Sequence, residues 1–429
     1  MTITFIAHST PEPAFYGALA AILAELRALP LCHLPVSYDS KRFINARQYI
    51  SPQGQQIASG LLWLERLTGR GAGAEFDMES LINRALREDI VVPLNQPLSC
   101  SCYQDMLQQI REKDISIESL QVVKNQDRYQ LEDCESGKVR SNGWARDSFG
   151  RWVLGSVTQP VMRGGKHLHL AILGDASEHR DSYPATLAAL GDAADALAMN
   201  IQVTYIPANL MGSQLESTLF DIDGIILPGL AVLGSESVHT STASQLAVAK
   251  WALDNQMPVL GINGGMHMMV AALGQKVLGD EAIALPGPST LGAVQSRLPL
   301  MDEPVRQGNY KVMFKSGSKL AKAMGREVQM RYNQRWRLSP HLLEKLSCEG
   351  LQVSGTDESG LSAESIELEN HPFFVGVQGN PELQSRRERP HPLLMAFLQQ
   401  VRQNNRERDV SHDSLTKSVR LKHPYFLMG

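Results

Sequence analysis

The segment 257–269 contains the residues whose types and spacing are best suited to chemistry. An apolar run, 259–262, is followed by Asn263, by two glycines, and then by a second apolar run that begins at Met266. This order predicts a buried strand, a tight turn that glycine permits, and a helix that begins on the turn. Such an elbow would hold Asn263 at the C-terminal edge of a parallel sheet, where open α/β sheets bind ligands. Hydrolases that use a covalent route carry a nucleophile such as Ser or Cys there, whereas an amide does not attack a carbonyl usefully.

A histidine follows on the same predicted helix. His267 lies four positions past Asn263, so it would project from the same helix face about one turn deeper. It would act as a base, or polarise a ligand carbonyl, or simply be packed in the protein interior, which is the commoner role for a histidine inside a helix.

Composition limits the classes of function. The chain has 429 residues, of which 43% are apolar and 20% charged, with a net charge of -4, so two to three globular domains are expected and a general nucleic-acid surface is not. No apolar run is long enough to span a membrane, and the first residues are typical of a strand, not of a signal peptide. The five cysteines are odd in number and scattered, which favours a reduced, cytoplasmic protein.

The first region, residues 1–163, is predicted to be a smaller α+β region of unknown role. An opening strand is followed by helix-forming segments at 15–29, 57–67, 78–87 and 103–113. Asp77 is placed to cap the third helix. Short β-type runs at 129–133, 138–140 and 151–154 then suggest an antiparallel meander, and 161–166 is typical of a linker.

A Cys-Ser-Cys segment, 100–102, raises the question of a metal or redox site. Two thiols at this spacing bind soft metals or exchange disulfides, but no second Cys/His pair stands at a zinc-like distance. Buried structural thiols are therefore the prediction, and no metal and no cofactor are expected.

From residue 167 onwards, strands alternate with helices. Strands at 167–173, 201–206, 222–229 and 259–262 are separated by helices, and a closing helix is predicted at 392–401. This alternation predicts a parallel sheet with helices on both faces. Residues 402–429 are polar and mixed in charge, and are predicted to form a C-terminal tail.

The segments 223–229, 255–266, 353–356, 371–375 and 381–393 resemble the class I glutamine amidotransferase family, and most closely the amidotransferase domain of CTP synthases. The resemblance covers about 168–400. It implies a flavodoxin-like domain over 167–401 and a cytoplasmic protein.

The same resemblance implies which residues surround the site. The family uses a Cys-His-Glu triad, and the corresponding positions here hold Asn263, Asn380 and Glu382. The family's oxyanion loop has two glycines after the proline, but here Gly229 is followed by Leu230. The arginines Arg331, Arg335 and Arg337 lie near the family's ligand-facing segment, where they would grip a carboxylate or phosphate or would form a solvated face.

Three functions follow as expectations. The first is a degenerate, non-glutaminolytic amidotransferase that binds a small polar ligand through Asn263, Gly229, Leu230, Asn380 and Arg335. The second is an enzyme of a specialised small-molecule pathway with non-covalent acid–base chemistry at Glu382 or His267. The third is a subunit that docks on a synthetase or another biosynthetic protein. A homo-oligomer is compatible with all three, whereas nucleic acid and membrane are not expected as partners.

Overall fold

The computed structural model describes residues 1–8, 10–39, 41–43, 46, 48–155, 167–229, 236–279, 295–297, 305–334 and 336–422. The first region contains, in chain order, β1 (Thr2–Ala7), α1 (Ala18–Arg27), β2 (Tyr49–Ile50), β3 (Gln56–Ile57), α2 (Leu62–Thr68), α3 (Met78–Ala85), β4 (Ile90–Leu94), α4 (Gln104–Glu112), β5 (Ser116–Asn125), β6 (Arg128–Asp133), β7 (Trp144–Arg146) and β8 (Trp152–Leu154).

The main sheet of the first region is mixed. Its strand order is β4-β1-β5-β6-β7-β8, with β1 parallel to both β4 and β5 and the remaining pairs antiparallel. The predicted antiparallel meander is confirmed for the runs 129–133 and 151–154, which form β6 and β8 with β7 between them. The run 138–140 instead makes only an isolated bridge from Val139 to Glu132. β4 escaped prediction because its five buried residues include Pro93, which is unusual within a sheet.

Two helix predictions in this region have different outcomes. The cap is confirmed, because the Asp77 carboxylate accepts a hydrogen bond of 2.7 Å from the Ser80 backbone N–H. The helix predicted from residue 57 instead begins at Leu62, after Ile57 has closed a two-stranded hairpin. Gly60 lies in the turn between them, where a Cβ atom would stand 2.1 Å from the Tyr16 carbonyl oxygen. The chain therefore needs a glycine at this crossing.

The second region continues with β9 (Leu168–Leu173), α5 (Ala185–Ala196), β10 (Ile201–Ile206), α6 (Gly212–Leu219), β11 (Gly224–Leu227), α7 (Glu236–Asp254), β12 (Val259–Ile262), α8 (Gly264–Leu278), β13 (Gln295–Arg297), β14 (Arg306–Phe314), α9 (Lys319–Met324), β15 (Glu327–Gln334), β16 (Trp336–Leu338), α10 (Pro340–Ser347), β17 (Leu351–Thr356), β18 (Ala363–Leu368), β19 (Phe374–Val377) and α11 (Pro392–Lys422).

Nine of these strands form one sheet in the order β10-β9-β11-β12-β19-β18-β17-β14-β15. The first five are parallel, and their order is that of flavodoxin-like folds. Neighbouring residues of β11 point to opposite faces, so that Ile225 packs with α7 and α8 while Ile226 packs with α5 and α11. The predicted parallel sheet with helices on both faces is thus confirmed.

The last helix is longer than expected. Residues 402–422, predicted to be a polar tail, continue α11 as helix, and this stretch contains neither proline nor glycine to end it. Asn404 and Asn405 are buried, and the Asn405 side-chain amide donates a hydrogen bond to the Asp223 carboxylate. Residues 423–429 lie outside the described residues.

The two regions share a hydrophobic core. Leu61, Leu62 and Tyr49 of the first region pack in one cluster with Ala185 and Leu383 of the second. An ion pair of 2.5 Å joins Arg66 to Asp192 within this buried interface. The predicted linker, 161–166, lies outside the described residues. No helix in the described parts of the chain has both the length and the apolar character needed to cross a membrane.

Candidate functional site at the elbow

Asn263 occupies a sharp corner between β12 and α8. Its backbone angles are φ 50° and ψ -113°, which cost a non-glycine residue on the order of 1–3 kcal/mol and persist only where the surroundings enforce them. The helix after the corner packs directly on β11, since a Cβ atom at Gly265 would lie 2.1 Å from the Leu227 carbonyl oxygen. The predicted strand-to-helix elbow is confirmed.

Neighbouring strands bring other predicted residues to the same edge of the sheet. β11 ends just before Pro228 and Gly229, and a Cβ atom at Gly229 would stand 3.4 Å from that of Asn263. β19 lies beside β12 and leads through Gln378 to Asn380. Glu382 follows in a short helical turn. Parallel pairing therefore explains why residues far apart in sequence meet here.

These residues line a cavity of about 40 Å³, which is room for about two or three water molecules. Its described lining residues are Gln48, Glu178, His179, Tyr183, Pro228, Gly229, Asn263, Asn333, Asn380 and Glu382. Four predicted site residues, Gly229, Asn263, Asn380 and Glu382, are thus brought together. Leu230 and Arg335, which were also predicted to bind a ligand, lie outside the described residues.

His267 does not line this cavity. It is fully buried, and its Nε2 lies 2.6 Å from the Gln378 side-chain oxygen, while the Gln378 amide donates a 3.1 Å hydrogen bond to the Asn263 side-chain oxygen. Burial lowers the pKa of His267 to about 4, so the ring is neutral near pH 7 and donates from Nε2. His267 therefore reaches the elbow through Gln378, which makes it a positioning residue in this geometry.

Glu382 is buried without a hydrogen-bonded cation in the described structure. Its Oε1 accepts hydrogen bonds of 3.0 Å from the Tyr183 hydroxyl and 2.8 Å from the Asn380 amide. Burial raises the pKa of Glu382, and these two donors oppose that rise. Its second oxygen, Oε2, and the side-chain oxygen of Asn380 have no hydrogen-bond partner.

Several lining residues were not predicted from the sequence. Gln48 belongs to the first region and accepts a 3.1 Å hydrogen bond from the Asn333 side chain. Glu178 and His179 lie in a single π-helical turn, Glu178–Ser182, a rare feature that is frequent at functional sites. No local sequence pattern predicts such a turn. Gln48 reaches the cavity only because the first region packs against the second.

Of the three arginines in the predicted cluster, Arg331 is held in a buried ion pair. Its guanidinium is 1% exposed and donates to both oxygens of Glu65 in α2, at 2.6 and 3.2 Å, and to the Ile50 carbonyl. Both alternatives for this residue, a ligand grip and a solvated face, are therefore wrong. Arg331 instead attaches the first region beside the site, where its own carbonyl accepts a 2.7 Å bond from the Asn380 backbone N–H.

Comparison with known proteins identifies the fold around this cavity. The family profile described as Glutamine amidotransferase class-I matches residues 181–400, which is just over half of the chain. The chain belongs to the class-I glutamine amidotransferase family. The matched segment includes the elbow and every described lining residue except Gln48, Glu178 and His179, which precede it.

Similar proteins of this family include CTP synthases. The chain is 31% identical over 241 residues to the CTP synthase of Thermomicrobium roseum, covering 54% of this chain and 43% of the other. It is 33% identical over 245 residues to that of Sulfurisphaera tokodaii, covering 54% and 45%. The chain spans a little under half the length of these curated relatives. Among solved structures, the glutaminase domain of CTPS from Trypanosoma brucei with bound acivicin is 23% identical, with a TM-score of 0.49 and coverage of 55% and 94%.

The Cys-Ser-Cys segment of this amidotransferase-family protein lies apart from the elbow. Cys102 is exposed and Cys100 is partly exposed, with their Sγ atoms 2.9 Å apart, so the prediction of buried thiols is wrong. Both residues begin a short turn before α4, which packs its own apolar face inward and leaves the turn at the surface. Within the described residues, no group of three or more His, Cys, Asp or Glu side chains is placed to hold a metal ion.

Proposed function

We propose that this protein is a non-glutaminolytic member of its family, whose elbow cavity binds a small polar ligand. The observation that carries the proposal is the chemistry of the cavity wall. The elbow residue is an amide, and the described lining residues include no cysteine, serine or threonine. A covalent route through a thiol or an aliphatic hydroxyl needs that nucleophile within hydrogen-bond reach of a base, and the described cavity wall contains bases but no such nucleophile.

The hydrogen bonds around Asn263 and Asn380 support a binding role. Asn263 is held by Gln378 from one side and at 3.4 Å by the Asn333 carbonyl from the other. The Asn380 amide nitrogen is engaged with Glu382, and an amide nitrogen does not accept a proton near neutral pH. Both side chains are therefore fixed in orientation, which suits recognition of a ligand better than proton transfer.

Partners remain part of this proposal. We propose that any synthetase chemistry linked to this cavity comes from a partner protein of a biosynthetic pathway, in a cytoplasmic setting. Homo-oligomerisation is compatible with this role. Size-exclusion chromatography with light scattering, together with co-purification, would establish both.

The test measures ammonia release from L-glutamine by the purified full-length chain and by Asn263→Ala. We expect no release above that of the variant. Glutamine hydrolysis that depends on Asn263 would refute the proposal. The double variant Asn263→Cys with Asn380→His sharpens the test, since it returns a thiol and an imidazole to one cavity, and we expect it to exceed both single variants.

The second candidate function is non-covalent acid–base catalysis, and one observation favours it. Glu382 lines the cavity, is 1% exposed, has a pKa raised by burial, and has one oxygen, Oε2, without a hydrogen-bond partner. A buried carboxyl whose pKa is raised is suited to act as a general acid or base. In a reconstituted pathway, Glu382→Gln would then abolish product formation while ligand binding persists. An unchanged product in both Glu382→Gln and His267→Ala would exclude this function.

A further inference from the structure

Three buried hydrogen-bond acceptors without partners belong to residues that line the elbow cavity. They are Nδ1 of His179, the side-chain oxygen of Asn380 and Oε2 of Glu382. The residues are 3%, 8% and 1% exposed. A buried polar atom without a partner costs about 1–3 kcal/mol, so three such atoms on residues of one cavity wall require an explanation.

The protonation of His179 follows from its other ring nitrogen. Nε2 lies 2.6 Å from the Leu173 carbonyl oxygen, which only accepts, so Nε2 carries the hydrogen. Burial lowers the pKa of His179 to about 4, and the ring is therefore neutral near pH 7. Nδ1 is left with a lone pair and no donor.

The orientation of Asn380 follows in the same way. Its nitrogen donates to Glu382 Oε1, so its oxygen is the free end of the amide. Glu382 Oε1 already accepts from this nitrogen and from the Tyr183 hydroxyl, whereas Oε2 accepts from nothing. A ligand that completes this set must donate several hydrogen bonds, and it gains from a positive charge beside the carboxylate.

We propose that the cavity binds an ammonium group, either as the free ammonium ion or as the –NH₃⁺ head of a small primary amine. An ammonium group offers at least three donors for the three acceptors, and its charge offsets that of Glu382. The cavity volume of about 40 Å³ admits such a head but not a bulky ligand as a whole. A carboxylate or phosphate would add acceptors where acceptors are already unsatisfied.

This inference rests on the proposed function, because it names the ligand class of the same cavity. The two fail separately. Glutamine hydrolysis would refute the non-glutaminolytic role but would not bear on amine binding. A lack of ammonium binding would refute the inference, and the protein could still be non-glutaminolytic with another ligand.

The experiment titrates the full-length protein by calorimetry and thermal unfolding at fixed ionic strength. The probes are ammonium chloride and methylammonium chloride, and the controls are potassium chloride and tetramethylammonium chloride. Potassium is close to ammonium in size but donates no hydrogen bond, and tetramethylammonium is a cation without N–H groups. We expect saturable binding and a raised Tm with the probes alone. Tighter binding of ammonium indicates the free ion as ligand, and tighter binding of methylammonium indicates an amine head.

Variants locate the binding. Glu382→Gln removes the charge at nearly constant shape, and we expect ammonium binding to weaken ~tenfold or more. His179→Phe removes one acceptor and should also weaken it. The matched control is His371→Phe. His371 is a buried histidine outside the cavity, and its Nε2 lies 3.2 Å from the Ala252 carbonyl oxygen. We expect this variant to bind ammonium with the affinity of the wild type. An equal response to potassium, or full affinity in Glu382→Gln, would overturn the proposal.

Discussion

Two buried glutamates, one in each region, are held in opposite ways. Glu65 of the first region receives two nitrogens of Arg331 and the hydroxyl of Tyr49, so both of its oxygens are engaged. Glu382 of the second region receives the hydroxyl of Tyr183 and a neutral amide, both on one oxygen. In the first site both carboxylate oxygens are bonded within an ion pair, whereas Oε2 of Glu382 has no hydrogen-bond partner among the described residues.

The comparison shows that two glutamates buried to a similar extent can differ in the hydrogen-bond donors and charges around them. Both glutamates are less than 10% exposed. Glu65 has a hydrogen-bond donor on each oxygen and the guanidinium of Arg331 beside it. Glu382 has donors on Oε1 only, and both of them are neutral. The two sites are also joined, because the backbone of Arg331 binds that of Asn380.

The largest expected loss of stability comes from breaking the buried ion pair between Arg331 and Glu65. Arg331→Met leaves Glu65 buried without its cation, which should lower the free energy of unfolding by about 3–5 kcal/mol in urea titrations. Arg331→Met combined with Glu65→Met should recover most of that loss. As a control, Arg84→Ala breaks an exposed pair with Glu88 and should change stability by less than about 0.5 kcal/mol. A loss below about 1 kcal/mol for Arg331→Met would show that the pair is not closed as described.

Removing the negative charge of Glu65 and removing that of Glu382 should change the stability of the protein in opposite directions. Glu65→Gln leaves Arg331 without its counter-charge and should cost roughly 1–3 kcal/mol. Glu382→Gln removes a carboxylate whose pKa is raised by burial. Since the folded protein binds this proton more tightly than the unfolded chain, its stabilising contribution is present below the unfolded pKa and is lost as pH rises through the folded pKa.

Glu382→Gln should therefore gain stability relative to wild type as pH rises, when chemical denaturation is followed at several pH values without added ammonium. A relative stability that stays constant with pH, or falls, would contradict an uncompensated carboxylate at this position.

A matched pair of tyrosine changes sharpens the contrast further. Tyr183→Phe removes a donor that favours the charged form of Glu382, so its cost, roughly 1–3 kcal/mol where Glu382 is ionised, should shrink as pH falls through the raised pKa of Glu382. Tyr49→Phe is the matched control, because it removes the same group from Glu65, which keeps both bonds from Arg331. Thermal unfolding of both variants at several pH values provides the measurement. If the stability loss changes with pH equally in the two variants, the proposed difference between Glu382 and Glu65 would be contradicted.

The smallest effect concerns the strained corner. Asn263→Gly relieves a positive φ that glycine adopts freely, whereas Asn263→Ala keeps the strain and also loses the hydrogen bond with Gln378. We expect the glycine variant to be more stable than the alanine variant by about 1 kcal/mol in thermal unfolding. Equal stability would mean that the backbone relaxes once the asparagine is gone.

How much the sequence predicts depends on whether the signal is local. The alternation of strands and helices in the second region, and the turn at Asn263, are local patterns, and the structure agrees with them. The pairing of β1 with β4 and β5 joins segments about 90–115 residues apart, for which a single sequence carries no pairing signal.

The site shows the same division. Gly229, Asn263, Asn380 and Glu382 were found through their resemblance to family motifs and share one cavity. His267 has the expected helical spacing, but whether its ring faced the cavity or Gln378 depended on packing with β19. Gln48 belongs to the first region, whereas His179 lies in the π-helical turn Glu178–Ser182 and Tyr183 follows it directly. These two parts of the chain meet the elbow only in the folded protein, so no spacing rule could have found them.

The hydrophobic cluster that Leu61 and Leu62 form with Ala185 and Leu383 has a consequence for protein engineering. Transferring the second region alone to another scaffold would expose the apolar surface around Ala185 and Leu383 to water. It would also remove Gln48 from the cavity wall. A functional transplant of the elbow therefore has to carry α2 and the β2–β3 hairpin with it, or redesign that face for water.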